Sequence, residues 1–220
     1  MIYNEDCLEG MKKISDGSVD MIACDPPYCV GATSNGVKCS FADLNMMRPF
    51  WLECFSEWRR VLKDGRHVYI CTDWRTYPFL YPLIIRYFTV KNLIVWEHGL
   101  MRPGNWYRGS YELIIFATAG KSRREYGGGE RDIWQIKSDV GTMKRNHPSE
   151  KPLELMEKMI RNSSKEGETV LDSFMGSGST GVAAINTGRD FIGFELDAGY
   201  YEIAQRRISE ALAKKAQELF

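Results

Sequence analysis

Two segments of the chain carry residue types suited to chemistry. The first is Asp25-Pro26-Pro27-Tyr28, which follows the apolar run Val19–Cys24. Two prolines fix φ and remove two backbone donors, leaving a rigid turn that presents carbonyl oxygens between an acid and an aromatic ring. An exocyclic amine on a planar base is a poor nucleophile, because its lone pair is delocalised into the ring. Acceptors placed on its N–H groups favour a more tetrahedral nitrogen and stabilise the charge that grows as it attacks. The Asp25 carboxylate and the Pro26 carbonyl are acceptors of that kind, and Tyr28 offers a face for stacking. A proline pair that only ends a strand does not account for the acid before it and the ring after it.

The second segment is Val170-Leu171-Asp172-Ser173-Phe174-Met175-Gly176-Ser177-Gly178-Ser179-Thr180, a short apolar run entering a Gly-x-Gly turn and then a helical pattern. Glycines allow a tight turn and a close approach to the main chain, and free amides at a helix start favour an anionic group. Glu195 stands nineteen residues after Gly176, at the end of the next apolar run, Phe191-Ile192-Gly193-Phe194. An acid there accepts hydrogen bonds from ribose hydroxyls. With Gly181 as a third glycine the segment alone also admits a dinucleotide reading, although that fingerprint usually opens a domain and no second βαβ half follows.

These segments need a scaffold that holds both at one edge. The 220 residues, 44% hydrophobic and 26% charged, suit one ordinary globular domain. Apolar strand patterns fall at Met1–Asn4, Val19–Cys24, Arg66–Cys71, Lys91–Trp96, Tyr111–Ala117, Thr169–Asp172 and Asp190–Phe194. Helical patterns fall at Pro49–Leu62, Thr76–Tyr87, Pro152–Ser163, Thr180–Thr187 and Ala198–Ala216. This alternation predicts an α/β domain with a mostly parallel sheet. The connection between Lys91–Trp96 and Tyr111–Ala117 has no room for a helix, so a hairpin is expected. The polar stretch Cys29–Met47 reads as a loop. Lys121–Asn146, with a weak strand-like piece at Asp132–Lys137, reads as a small excursion. The longest apolar runs are too short to span a bilayer. The start lacks the pattern of a secretion signal. The six cysteines contain no C-x-x-C pair, so reduced thiols in a cytoplasmic protein and no metal are expected.

The two segments together resemble the DNA amino-methyltransferase family, the N6-adenine and N4-cytosine enzymes, in which an Asp-Pro-Pro-Tyr motif pairs with a Phe-x-Gly-x-Gly motif, here Phe174–Gly178. With the catalytic motif first, the order is that of the family's β group. The resemblance implies a seven-stranded, mostly parallel, Rossmann-like methyltransferase sheet, circularly permuted so that the chain starts at the third strand. It divides the chain into a catalytic half (1–120), a small variable, target-recognition segment (121–146) and a cofactor-binding half (147–220). It implies S-adenosylmethionine as cofactor, held by Asp6, Cys7, Asp25, Lys151, Asp172, Ser173, Phe174, Gly176, Ser177, Gly178, Ser179, Thr180, Glu195 and Leu196. Asp25, Pro26, Pro27 and Tyr28 take the catalytic role. The strand pair bearing Trp96 and Glu112 is similar to the pair that flanks the target base.

The function implied is site-specific methyl transfer to adenine N6 in a flipped-out base of double-stranded DNA, with a restriction-modification context. The aspartate at position 25 favours adenine, since serine there is more typical of cytosine-N4 enzymes. Transfer to cytosine N4, to an RNA or protein amine, and a non-enzymatic DNA-binding relative are the alternatives. Cytosine-C5 chemistry needs a nucleophilic cysteine, usually after proline, and no Pro-Cys occurs. Lys and Arg (29) balance Asp and Glu (29), so any DNA grip must be local. Arg108, Lys121, Arg123, Arg124, Lys144 and Arg145 are the candidate DNA contacts. The variable segment is short for reading a sequence, and a homodimer would double the contact surface.

Overall fold

The computed structural model describes residues 1–26, 33–34, 37–38, 41–101, 106–121, 126, 129–138 and 150–217. In chain order the elements begin with β1 (Ile2–Tyr3), α1 (Cys7–Met11), β2 (Val19–Cys24), β3 (Thr33–Ser34), β4 (Val37–Lys38), α2 (Phe41–Met46), α3 (Arg48–Val61), β5 (Leu62–Thr72) and α4 (Tyr77–Ile84). They continue with β6 (Thr89–Glu97), β7 (Tyr111–Thr118), β8 (Ile133–Gln135), α5 (Leu153–Ser163), β9 (Thr169–Asp172), α6 (Ser179–Asn186), β10 (Asp190–Phe194) and α7 (Ala198–Gln217).

Eight strands form one sheet in the order β1-β10-β9-β2-β5-β7-β6-β8, and β3 and β4 form a separate antiparallel pair. From β1 to β5 all neighbours are parallel, and β7 then runs antiparallel to both β5 and β6. The order follows from the connections. The consecutive parallel strands are joined through helices, β2 to β5 by α2 and α3 and β9 to β10 by α6, as a crossover requires, while the antiparallel β6 and β7 have no helix between them among the described residues.

Period-two alternation in the strands sorts side chains into two cores. In β2, Ile22 and Cys24 point to one face and Met21 and Ala23 to the other; in β5, Val68 and Ile70 oppose Tyr69 and Cys71. The first face is covered by α1, α3 and α4 through Met11, Phe55, Trp58 and Leu80. The second is covered by α5, α6 and α7 through Met156, Ile160, Ala183 and Ile208. All six β2 residues are buried, which is why that strand reads as a continuous run rather than an alternation.

All seven expected strands and all five expected helices form. Three features differ from the sequence reading. Asp132–Lys137 does not leave the sheet: Ile133–Gln135 joins its edge as an eighth strand, parallel to β6, with Trp134 buried against Tyr69. The expected loop Cys29–Met47 contains the β3–β4 pair and ends in α2, whose Leu44 is 1% exposed. Burial of one leucine gives that short turn of helix the tertiary support its polar sequence does not advertise. The five-residue α1 is capped by Asp6, whose Oδ1 accepts the Leu8 amide at 2.8 Å.

Trp58 of α3 ties one layer to the sheet, since its fully buried ring donates Nε1–H to Ser173 Oγ at 2.8 Å. Trp58→Ala removes that bond and leaves a cavity, so it should cost about 3–5 kcal/mol. That corresponds to a fall in melting temperature on the order of 10 °C, measurable by differential scanning calorimetry; an unchanged transition would show that the layer does not depend on this ring.

Candidate functional site

Ile22 of β2 pairs with Leu171 of β9, so the two chemically loaded segments leave neighbouring parallel strands at the same, carboxyl, edge. That edge of an open α/β sheet is where ligands bind. Between them lies a cleft lined by Asp25 on one side and Asp172, Phe174 and Gly176 on the other, with Glu150 and Lys151 also in its wall.

The glycine turn is built by Asp172, which is 1% exposed. Its Oδ1 accepts the Phe174 amide at 2.9 Å and its Oδ2 accepts the Thr180 hydroxyl at 2.6 Å, closing the loop between strand and helix. Burial pushes this carboxyl upward; hydrogen bonds from Thr180, Phe174 and Cys24 pull it back and the negative charge of Asp25 adds to the rise, for a value of about 7. Gly176 (φ 51°) has open space where a Cβ would stand, whereas a Cβ on Gly178 (φ 84°) would sit 3.0 Å from Ala204 of α7. The first glycine therefore keeps backbone exposed to the cleft, and the second lets α7 close behind the turn.

Glu195 reaches this loop from the end of β10. Its Oε2 accepts the Gly176 amide at 2.9 Å and its Oε1 accepts the Asp197 amide at 2.8 Å. A carboxylate has about four acceptor positions, so both oxygens retain capacity for ribose hydroxyls. Leu196 beside it is 71% exposed. Asn4 ties β1 to this corner, donating to the carbonyls of Glu195 and Leu196 at 2.8 and 3.2 Å. Asp6 lies next to it at the end of β1 as the cap of α1. A backbone open to the cleft, flanking acids and an apolar wall at Phe174 fit an adenosine-bearing cofactor with a charged tail.

Not every expected cofactor residue faces that space. Cys7 is buried in the core, and the Ser173 hydroxyl turns inward to accept from Trp58. Phe174 both lines the cleft and packs against Phe50, Trp51 and Trp58 at 5.8–6.4 Å between ring centroids. Ser177, Ser179 and Thr180, by contrast, are buried in the turn and line the cleft. Pro26 is buried; Pro27 and Tyr28 lie outside the described residues. Cys24 and Cys71 are buried free thiols held protonated, chiefly by desolvation, which suits core residues and not nucleophiles.

One contributor escaped the sequence reading. Arg207 of α7 donates to Ser177 O at 2.8 Å, to Ser177 Oγ at 2.9 Å and to the Glu150 carboxylate, clamping the glycine turn to the segment that carries Lys151. Its only sequence signal is a basic residue on the inner face of an amphipathic helix. Glu112 of β7 is 8% exposed and lies 3.2 Å from Lys151 Nζ.

The basic candidates divide. Arg108 is exposed on the connection before β7, at the cleft edge, with Trp106 and Tyr107, which are 91% and 105% exposed. Lys121 follows the other end of β7, roughly 25 Å away by strand rise, so the structure does not bring it to the cleft. Arg123, Arg124, Lys144 and Arg145 lie outside the described residues. Among the described residues no helix is long and apolar enough to cross a membrane and no cluster could hold a metal ion.

A sequence model described as DNA methylase, for the N6/N4 family, matches residues 19–206. The protein named DNA adenine methyltransferase YhdJ from Escherichia coli is 28% identical, over 99% of this chain and 85% of that one. The crystal structure of the M1.HpyAVI–SAM complex is 28% identical with a TM-score of 0.76, covering 94% of this chain and 98% of that one. The cytosine-N4-specific PvuII DNA methyltransferase superimposes with a TM-score of 0.77 at 16% identity, over 97% of this chain and 91% of that one. The last likeness is one of fold alone.

Two expectations follow from the turn. Because the folded chain holds the Asp172 proton up to about pH 7 while the unfolded chain releases it near pH 4, the contribution of this group to stability falls as pH rises across that window. Asp172→Asn should therefore gain on the wild type in melting temperature between pH 5 and pH 8; a constant gap would refute the assignment. Arg207→Met should weaken S-adenosylmethionine binding by roughly tenfold, the worth of one or two hydrogen bonds to a charged group, in a calorimetric titration.

Proposed function

This chain belongs to the N6/N4 family of DNA methylases, and from that membership we propose that it transfers a methyl group from S-adenosylmethionine to the exocyclic N6 of adenine in DNA. The observation that carries this reading is the shared cleft: the acid of Asp25-Pro26-Pro27-Tyr28 and the glycine turn Gly176–Gly178 face one space from adjacent strands. The named activity of the Escherichia coli relative supports adenine over cytosine, as does the aspartate at position 25.

When bound, the cofactor supplies a methyl group on a sulfonium, a carbon made electrophilic by a good leaving group. Gly176, with Glu195 and Asp6 beyond it, holds the nucleoside part, and the Gly176–Thr180 turn with Phe174 encloses the remainder. The Asp25 carboxylate and the Pro26 carbonyl accept from the two N–H groups of the amine, and Tyr28 stacks on the base. So held, the amine nitrogen would be aligned to take the methyl group the cofactor would supply, and the proton it then gives up would pass by way of the Asp25 carboxylate to water. Holding nitrogen in line makes the step effectively unimolecular.

The polymer is duplex DNA in this reading, so the adenine must leave the stack at a cost of a few kcal/mol. Trp106 and Tyr107 offer stacking faces at the rim, and Arg108 offers charge for phosphates. Residues 1–120 act as the catalytic part, 121–146 as the variable part and 147–220 as the cofactor part. Because the variable part is short, a homodimer is the assembly we infer.

The test is transfer of labelled methyl to duplex DNA, followed by nucleoside analysis. N6-methyladenine is expected; N4-methylcytosine would overturn the base assignment, and no label in DNA would overturn the reading. Asp25→Ala should lower the rate by roughly 10²–10³-fold or more and leave the cofactor dissociation constant within a few fold.

A further inference from the structure

The sequence places Lys151 with the cofactor, and in the fold it lines the cleft and also touches the catalytic acid. Its side chain is 7% exposed, and its Nζ donates to Asp25 Oδ2 at 2.6 Å while lying 3.2 Å from Glu112 Oε2. These three groups come from three separate places in the fold: the end of β2, the second residue of β7 and the approach to α5. A buried ammonium flanked by two carboxylates is costly to assemble unless each charge is paired. Burial works against the charge of Lys151, but Asp25 and Glu112 outweigh it and hold the ammonium firmly protonated.

We propose that Lys151 is a positioning residue for Asp25, pinning Oδ2 so that the carboxylate plane is fixed toward the amine, and that Glu112 is the counter-carboxylate that shares the cation. The geometry makes the division of labour specific. A short charge-assisted bond to one oxygen fixes the rotation of the carboxyl group, which the neighbouring proline, Pro26, does not control. If Lys151 faced Asp25 alone, its charge would drain the acceptor strength the amine needs. Sharing the ammonium with Glu112 leaves the trio with one net negative charge beside a nitrogen that becomes positive. Among the described residues, the other titratable groups that face it include Cys71 on β5, whose thiol stays neutral, and Asp172 on β9.

The two partners then have opposite effects on the pH profile. Lys151→Met removes the cation beside Asp25 and leaves the Glu112 charge, so the acid limb of the kcat profile should move up by about one pH unit or more. Glu112→Gln gives Lys151 wholly to Asp25, so that limb should move down. Lys151→Met should also lower kcat by roughly 10²-fold, while calorimetry shows S-adenosylmethionine affinity within a few fold of the wild type. That affinity also reports that the variant is folded. A loss of affinity tenfold or greater with an unmoved acid limb would return Lys151 to the cofactor and overturn the proposal, as would limbs that move in the same direction in both variants.

The inference rests on Asp25 holding the amine, so Asp25→Asn is assayed alongside. Wild-type transfer by Asp25→Asn would remove the underlying reading. An inactive Asp25→Asn with unmoved limbs in the other two variants would remove only the positioning role.

Discussion

The parallel pairing of β2 with β9 is the constraint on which the rest depends. Met21 opposite Val170 and Ile22 opposite Leu171 place Asp25 and the Asp172 turn side by side, although nearly 150 residues separate them in the chain. A slip of one residue would exchange the two faces of β2, sending Ile22 and Cys24 into the α5–α7 layer and Met21 and Ala23 into the α3–α4 layer. The two cores thus fix the register, and the register fixes the site. The helices hold reacting groups at a distance only because the strands are buried on both faces.

Much of this was legible because buried parallel strands and glycine turns have strong local signatures. Val19–Cys24 and Thr169–Asp172 are short apolar runs that break at Pro26 and at Gly176, and both breaks are chemical as well as structural. The acid of Glu195 was readable from its distance to Gly176. What was not legible depended on partners remote in sequence. Trp58 and Ser173 read as an ordinary core ring and an ordinary loop hydroxyl; only the packing of α3 onto β9 joins them. Ile133–Gln135 is too short to declare itself a strand, and it becomes one because the edge of β6 offers it a ladder and Tyr69 offers Trp134 a neighbour.

Charge was the least legible property. Lys121 and Arg108 look alike as basic residues flanking one strand, yet the direction of β7 sends one to the cleft edge and the other to the opposite edge. Lys151 reads as a cofactor residue before a helix, and it is buried between Asp25 and Glu112. Arg207 reads as one of several basic residues on the last helix, and it reaches the glycine turn. In each case the residue type was visible and the direction of the side chain was not, because direction follows from the layer on which the element lands.

The contact between Gly178 and Ala204 carries a consequence for how this site can be adjusted. The turn rests against the inner face of α7 with no space for a methyl group, and the same face sends Arg207 to Ser177 and Glu150. The last helix is therefore a rear wall that sets the height of the cofactor floor without touching anything bound there. Bulk added at Ala204 would lift that floor, and bulk removed at Ile208 would let it sink. Cofactor grip can drift through such changes while the catalytic segment stays untouched, which gives an enzyme of this kind a dial for residence of its methyl donor that lies outside the reacting centre.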